Sequence, residues 1–259
     1  MPLSRHYQSF VTKALKLVPL FAPEPISPRR AHEQDASFFY RLPLELREII
    51  WRQYFGKHAV HVRVLKSKRL YSIECLLWNI DDDYEKLAHY IEHRDAALCD
   101  HISLLLTCKR IYFDCFPLLY RETYFDFSHN PSALTAMCRR LPASHVASIS
   151  KVHLVHDINR PLYLDRKDHG EIEMEWVNIW DTLASMKGLQ WLRVVVTSPE
   201  YNARELTERE WTLWEGIRKV AQPAHFELVL PFPAAASTRE ETLPCTIIRQ
   251  VPTLVTNPA

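Results

Sequence analysis

Apolar and polar positions divide the chain into an amphipathic arm, a helix-rich region and a stretch where strands alternate with helices. Residues 7–20 carry helical spacing, with Phe10, Ala14, Leu17 and Val11, Leu15, Val18 on one side. Pro19, Pro23, Pro25 and Pro28 then give the composition of an extended spacer. The spacing next predicts a strong helix over residues 43–55, opened by Pro43 at the first helical position and stopped by Gly56. Leu42, Leu46, Ile49 and Ile50 share one face of it, and Leu44, Trp51 and Phe55 fall on the opposite face. A helix with two apolar faces needs two coverings. One can be its own core; the other is either more core or a partner.

Two β-rich runs follow, 59–65 and 69–75, with Lys66, Ser67 and Lys68 as the turn of a hairpin. Asp81 to Asp83 suits the N-terminus of a short helix through Tyr84, Leu87 and Ile91. A second strong helix is predicted over 101–116, where Pro117 is expected to break or restart it. Residues 123–127 read as a compact strand. Asn130 and Pro131 then open a helix through Leu134, Met137 and Leu141.

Beyond this point strands are predicted at 149–155, 191–197 and 226–230. Helices are predicted over 173–186, with Trp176, Trp180 and Leu183 on one face, and from a capping box at Thr207 to Glu210 through Trp211, Trp214 and Ile217. Strand–helix alternation implies parallel pairing through right-handed crossovers. The expected fold is therefore α/β (α+β), a helical module packed on a small, mostly parallel sheet. The expected organisation is an arm and spacer at 1–35, the helical module with its hairpin insertion at 36–141, a repeat-like region at 142–232 and a loosely held tail at 233–259.

Composition narrows the function classes. Only four glycines occur, Gly56, Gly170, Gly188 and Gly216, and no two are closer than 18 residues. Loops that wrap phosphates need clustered glycines, so the phosphate-loop, dinucleotide and nucleophile-elbow fingerprints are absent. Lys plus Arg number 32 against 31 Asp plus Glu, which gives no global reason to expect nucleic acid. No apolar run approaches the roughly 20 residues of a membrane span. The six scattered cysteines have no Cys-x-x-Cys pair and read as reduced thiols of an intracellular protein. The arm holds Arg5, Lys13 and Lys16 and no acid within 23 residues. That is the charge signature of a mitochondrial presequence, although Arg and Ser are sparse for one; a helix that docks on the domain or stays disordered is the expected reading. A cytoplasmic or nuclear setting is the default expectation, with a mitochondrial one the less favoured alternative.

The segment Leu42-Pro43-Leu44-Glu45-Leu46-Arg47-Glu48-Ile49-Ile50 resembles the opening of an F-box, and Leu104-Leu105-Leu106-Thr107-Cys108-Lys109-Arg110-Ile111-Tyr112 resembles the later F-box helix. Together with Phe116-Pro117-Leu118-Leu119-Tyr120 and Thr123-Tyr124-Phe125-Asp126-Phe127, the chain is similar to fungal F-box-like proteins of an uncharacterised, domain-of-unknown-function group. The later alternation resembles short leucine-rich-repeat-like tails. The resemblance implies a protein-interaction adaptor in which the helical module docks on a Skp-type adaptor of a cullin-type ubiquitin ligase while the C-terminal part holds a protein substrate. It places Pro43, Leu44, Ile49 and Ile50 on the adaptor-facing helix. Periodicity adds Trp51 and Phe55 as candidates for an exposed apolar patch. The same residues would look identical if the C-terminal sheet covered them. One departure is the hairpin and extra helix between Phe55 and Leu104, an insertion placed where it could obstruct docking. A ligase-independent scaffold is the alternative, and an enzyme of unrecognised chemistry the less favoured one.

Chemical readings are weaker. His89 and His93 have the i, i+4 spacing of a metal-binding helix, but the order of the zinc proteases is missing, and an exposed helical face is expected. His153, His156 and Asp157 suggest acid–base work without any nucleophile motif, so a solvated strand end is expected. The dense tryptophans are expected in the core, with an aromatic peptide groove as the functional alternative. No catalytic residue, metal ligand or cofactor is assigned.

Overall fold

The computed structural model describes residues 37–55, 59–64, 70–75, 93–94, 104–128, 130–157, 166–197, 211–221, 223–234 and 243–250. The arm, the hairpin turn, Gly56, the helix expected at 81–91, His89 and the capping box at 207–210 lie outside the described residues. Helix α1 is Phe38–Arg41 and α2 is Leu44–Phe55. Strands β1 (Ala59–Val64), β2 (Leu70–Cys75) and β3 (His93–Arg94) follow, then helix α3 (Lys109–Glu122), β4 (Tyr124–Asp126), α4 (Ser132–Cys138) and α5 (Ala143–Val146). The remainder is β5 (Lys151–Asp157), α6 (Arg166–Ser185), β6 (Trp191–Thr197), α7 (Trp211–Ile217), β7 (His225–Leu230) and β8 (Thr246–Arg249).

All eight strands form one sheet in the order β3-β2-β1-β4-β5-β6-β7-β8. The hairpin β1–β2 and the β2–β3 pair are antiparallel. From β1 to β8 the six strands β1, β4, β5, β6, β7 and β8 run parallel, which bears out the mixed α/β class with a mostly parallel sheet. Each new parallel strand is added on the same side of the last. Right-handed crossovers in one direction must put successive helices on one face of the sheet. The side chains agree. Val60, Phe125, Val152, Leu192 and Phe226 are matched across the register. They share a core with Leu134 of α4, Trp180 and Leu183 of α6, and Ile217 of α7.

The hairpin is part of this sheet, because β1 pairs with β4 as well as with β2. The sheet and its core therefore run on through residue 141, with Val60 and Phe125 packed in the same cluster as Leu228 and Phe232. The expected tail also supplies an element: β8 pairs with β7, and Leu243, Cys245 and Ile247 pack against the main core. The alternation Cys245, Ile247 with β-forming Thr246 and Ile248 explains it.

The second strong helix starts later than its periodicity predicts. Cys108 is extended, at φ −157° and ψ 160°, and its Sγ accepts the Ile111 N–H at 3.4 Å as an N-cap. Leu104 and Leu105 form a separate turn closed by Thr107 N–H on the Leu104 carbonyl at 3.1 Å. Pro117 lies inside α3 and does not end it. Proline removes one helical hydrogen bond there, but Cys115 and Leu118, on either side of it, are buried in the same cluster as Trp51 and Phe55. Packing on both sides holds the two halves in line. Thr123 ends the helix, its N–H and Oγ1 both donating to the Leu119 carbonyl at 3.1 and 2.6 Å.

Candidate functional site

The helical module is built by α2 against α3. Trp51 and Phe55 bury one face of α2 on Cys115 and Leu118, with the Phe39 ring tilted against that of Trp51 at 4.7 Å between centroids. A polar clamp fixes the first turns. The Arg47 guanidinium, buried beside this seam, pairs with the Asp114 carboxylate and lies 5.2 Å from the Tyr40 ring centroid. Arg110 covers the same ring at 4.2 Å. Burial pushes the Asp114 carboxyl above its ordinary value, against the pull of Arg47 and Arg110. Burial likewise raises the Tyr40 phenol and takes the Cys115 thiol up to about 12, so neither ionises near neutrality.

The opposite face of α2 is open. Leu46, Ile49 and Ile50 are 47 %, 60 % and 42 % exposed, and Leu44 at the start of the helix is 50 % exposed. Leu46, Ile49, Ile50 and Gln53 follow the i, i+3, i+4, i+7 spacing of a single stripe. Pro43 is exposed at its head. Tyr54, Phe38 and Leu106 are the other large exposed apolar side chains of this module. Of the six candidates, Pro43, Leu44, Ile49 and Ile50 are thus at the surface. Trp51 and Phe55 are not: at 7 % and 3 % exposure they form the seam with α3 and cannot belong to an exposed patch. Periodicity separates the two faces of α2 but cannot say which one the rest of the chain covers.

The module is joined to the sheet through α3. Glu122, at its end, meets Arg52 of α2 at 3.8 Å and Lys151 of β5 at 3.2 Å. Tyr120 stacks on Phe125 at 5.8 Å, and His145 of α5 packs on Phe116 at 4.5 Å while sharing a hydrogen bond with the Tyr112 hydroxyl at 3.0 Å.

A second cluster lies on the face of the sheet opposite the core that α4, α6 and α7 cover. Register places His61, Asp126, His153, Arg193 and Glu227 in one cross-strand row. His61, Asp126 and His153 are 2 %, 1 % and 0 % exposed. Asp126 accepts from Nδ1 of both rings, from His153 at 2.7 Å and from His61 at closer range. The Ser128 N–H and hydroxyl also donate to its Oδ1. Burial alone would raise the Asp126 carboxyl; the His153 and His61 hydrogen bonds overturn this and hold it well below the carboxylate range. Burial, the largest influence on His153, keeps its imidazole below the ordinary histidine value despite Asp126. The set is therefore a carboxylate that accepts from two buried imidazoles, with that of His153 held neutral by its burial.

It does not have the geometry of an acyl-transfer relay. Ser128 Oγ and Asp126 both meet His153 at the same nitrogen, Nδ1, whereas a nucleophile and an orienting acid must use opposite nitrogens. His156, three residues on, points to the other face and packs on Trp176 at 4.9 Å. The solvated strand end expected here is thus a pair of buried histidines on opposite faces. Strand alternation places both inside but gives no hint of the Asp126 partner, which comes from a strand 27 positions away. Trp176, Trp180 and Trp214 are buried in the core and line no groove.

Among the described residues, no group of three His, Cys, Asp or Glu is placed to hold a metal ion, and no helix is long and apolar enough to cross a membrane. Cys108, Cys115 and Cys138 are free thiols.

The arrangement defines a class: a parallel sheet layered on one face by its crossover helices, joined to a two-helix module that leaves an apolar stripe uncovered. Residues 31–251 match the family model DUF7730, a domain of unknown function, and the chain belongs to that family. No curated protein and no solved structure matches it significantly.

Proposed function

We propose that the chain is a protein-interaction adaptor, in which the α2 stripe docks a Skp-type adaptor and the sheet region holds a protein substrate for ubiquitination. The observation that carries the reading is the stripe itself. Leu46, Ile49 and Ile50 stand exposed on a helix whose other side is locked by an aromatic seam and a part-buried ion pair. Such a helix presents apolar anchors without having to order them on binding, which lowers the entropic cost of association. The F-box-like sequence of the same helix supports the choice of partner.

The hairpin part of the insertion is taken up as strands of the sheet and the stripe is exposed, while the extra helix expected at 81–91 lies outside the described residues. That favours docking over obstruction. On the face of the sheet opposite the α4, α6 and α7 core, Trp191 stacks on His225 at 5.8 Å and Val155, Val195 and Ile248 are half-buried, a partly accessible row suited to a peptide or protein substrate. The reading assigns no catalytic residue, cofactor, nucleic acid or membrane, and places the protein in the cytoplasm or nucleus. Co-elution of the full chain with a purified Skp-type adaptor in size-exclusion chromatography tests it. A stable 1:1 complex is expected; separate elution at tens of micromolar would leave a ligase-independent scaffold.

A further inference from the structure

Helix α3 is attached to the helical module before Pro117 and to the sheet after it. In the first half, Asp114 pairs with Arg47 of α2 and Cys115 is buried in the α2 seam. In the second half, Tyr120 stacks on Phe125 at 5.8 Å and Glu122 meets Lys151 at 3.2 Å. The Arg121 carbonyl also accepts from the Ser150 hydroxyl at 2.6 Å. Proline removes the helical hydrogen bond to the carbonyl of Phe113, four residues back. The backbone is thus weakest between the two attachments, at the position where helices bend.

His145 of α5 bridges the same point. Its ring centroid lies 6.2 Å from Tyr112 and 4.5 Å from Phe116, both before the proline, and 5.1 Å from Tyr120 after it. Its Nε2 shares the 3.0 Å hydrogen bond with the Tyr112 hydroxyl. Helix α5 is itself seated on the body of the fold. Val146 packs against the main core, and the Ala147 carbonyl lies where a Cβ on Gly188 would stand only 2.0 Å from its oxygen. The imidazole therefore grips α3 on both sides of Pro117 from a fixed base.

We propose that His145 is a pin across a hinge at Pro117, and that taking up a proton withdraws it, so that α3 bends there and turns the α2 stripe relative to the sheet. The neutral ring has one hydrogen bond, and its Nδ1 is buried with no hydrogen-bonding partner among the described residues. Protonation makes both ring nitrogens donors, which leaves Nδ1 a charged donor without an acceptor. The titratable groups facing the ring are the Tyr112 and Tyr120 phenols of α3. Burial pushes both above the ordinary value of 10.0, so neither supplies a counter-charge. Helix α5 adds no acid. Burial sets the matching direction for His145, holding its imidazole below 6.5. Leu118 stays in the α2 seam in either state, so the opening is a bend and not a separation of the two halves. The hinge does not depend on the proposed docking reading, which concerns only what the turned stripe binds.

The test is hydrogen exchange of the full chain, read by mass spectrometry, for the parent, His145→Phe and His145→Gln at pH 7 and pH 5. Comparing the chains at equal pH cancels the intrinsic pH dependence of exchange. The reporting amides are those of residues 118–121, whose helical acceptors lie four residues back, across or beside the hinge. His145→Phe keeps a ring in place that cannot titrate. Parent and His145→Phe are expected to exchange alike at pH 7. At pH 5 the parent should exchange roughly tenfold faster at these amides, with β6 and β7 unchanged between the two chains. His145→Gln, which lacks the ring, should be fast at both pH values. Equal exchange of parent and His145→Phe at pH 5 would overturn the pin. Equal acceleration of β6 and β7 would overturn the hinge, because the whole fold would then be opening. Should His145→Phe fail to fold by circular dichroism, His145→Gln decides: protection equal to the parent's at pH 7 would overturn the proposal.

Discussion

Ile49 and Trp51 lie two positions apart in α2 and face opposite ways, Ile49 60 % exposed and Trp51 7 % exposed against Phe39, Cys115 and Leu118. The same helix therefore separates stability from recognition. Trp51→Ala is expected to cost about 3–5 kcal/mol, the range for removing a buried aromatic. Ile49→Ser should fall within about 0.5 kcal/mol of the parent. Urea unfolding followed by tryptophan fluorescence and circular dichroism measures both. Equal costs for the two would mean that the stripe is covered in solution.

Arg47 is the polar counterpart of that seam. Arg47→Ala leaves Asp114 half-buried with Arg110 as its remaining nearby cation. A loss of about 2–3 kcal/mol is expected, less than for a fully buried pair because both side chains keep some contact with water. Arg47→Lys should recover only part of it, since an ammonium lacks the planar fork that also covers Tyr40. Thermal melts of the three proteins in one buffer decide the order.

Burial of two histidines, one in the sheet and one in α5, predicts an acid-labile fold. His153 and His145 are held below the ordinary histidine value of 6.5 by burial. The unfolded chain therefore takes up protons first, and stability present above pH 6.5 declines as pH falls through it. Asp126, depressed by its histidine hydrogen bonds, adds a further loss below its ordinary value of 3.8. Asp114, which is raised, acts in the opposite sense near that pH. The melting temperature should fall steadily from pH 7 to pH 5, and His153→Gln should flatten the decline. A flat profile in the parent chain over that range would contradict the buried-imidazole assignment.

Helix α7 approaches α6 through Gly216. A Cβ there would stand 2.7 Å from Cγ and Cδ1 of Trp180, a fully buried ring with no room to yield. On helix propensity alone Gly216→Ala would gain about 1 kcal/mol. Overpacking costs about 1–3 kcal/mol and outweighs it, so a net loss on the order of 1 kcal/mol is expected in equilibrium unfolding.

The parts of this fold that were legible in the sequence are those set by local periodicity. The strands at Lys151–Asp157, Trp191–Thr197 and His225–Leu230 and the packed faces of α6 and α7 follow from alternation and 3.6-residue spacing. Features decided by distant contacts were not legible. Pro117 stays helical because Trp51 and Phe55 hold the residues on both sides of it, and those partners lie more than 60 positions away. The edge strand Thr246–Arg249 looks like a tail until β7 supplies its hydrogen bonds. The two faces of α2 are equally apolar in sequence, so the assignment of Trp51 and Phe55 to the interior required the position of α3. The His61–Asp126–His153 row needs three strands in register, which no local window contains.

The most direct test of the central claim is an isothermal titration of a purified Skp-type adaptor into the intact chain and into an Ile49→Asp, Ile50→Asp variant whose circular dichroism matches the parent. The stripe account predicts binding by the intact chain and at least a hundredfold weaker binding by the variant, because two carboxylates would be desolvated in the interface. Trp51→Ala serves as the unstable control rather than the binding control. Undiminished binding by the folded double variant would contradict the assignment of the α2 stripe as the docking surface.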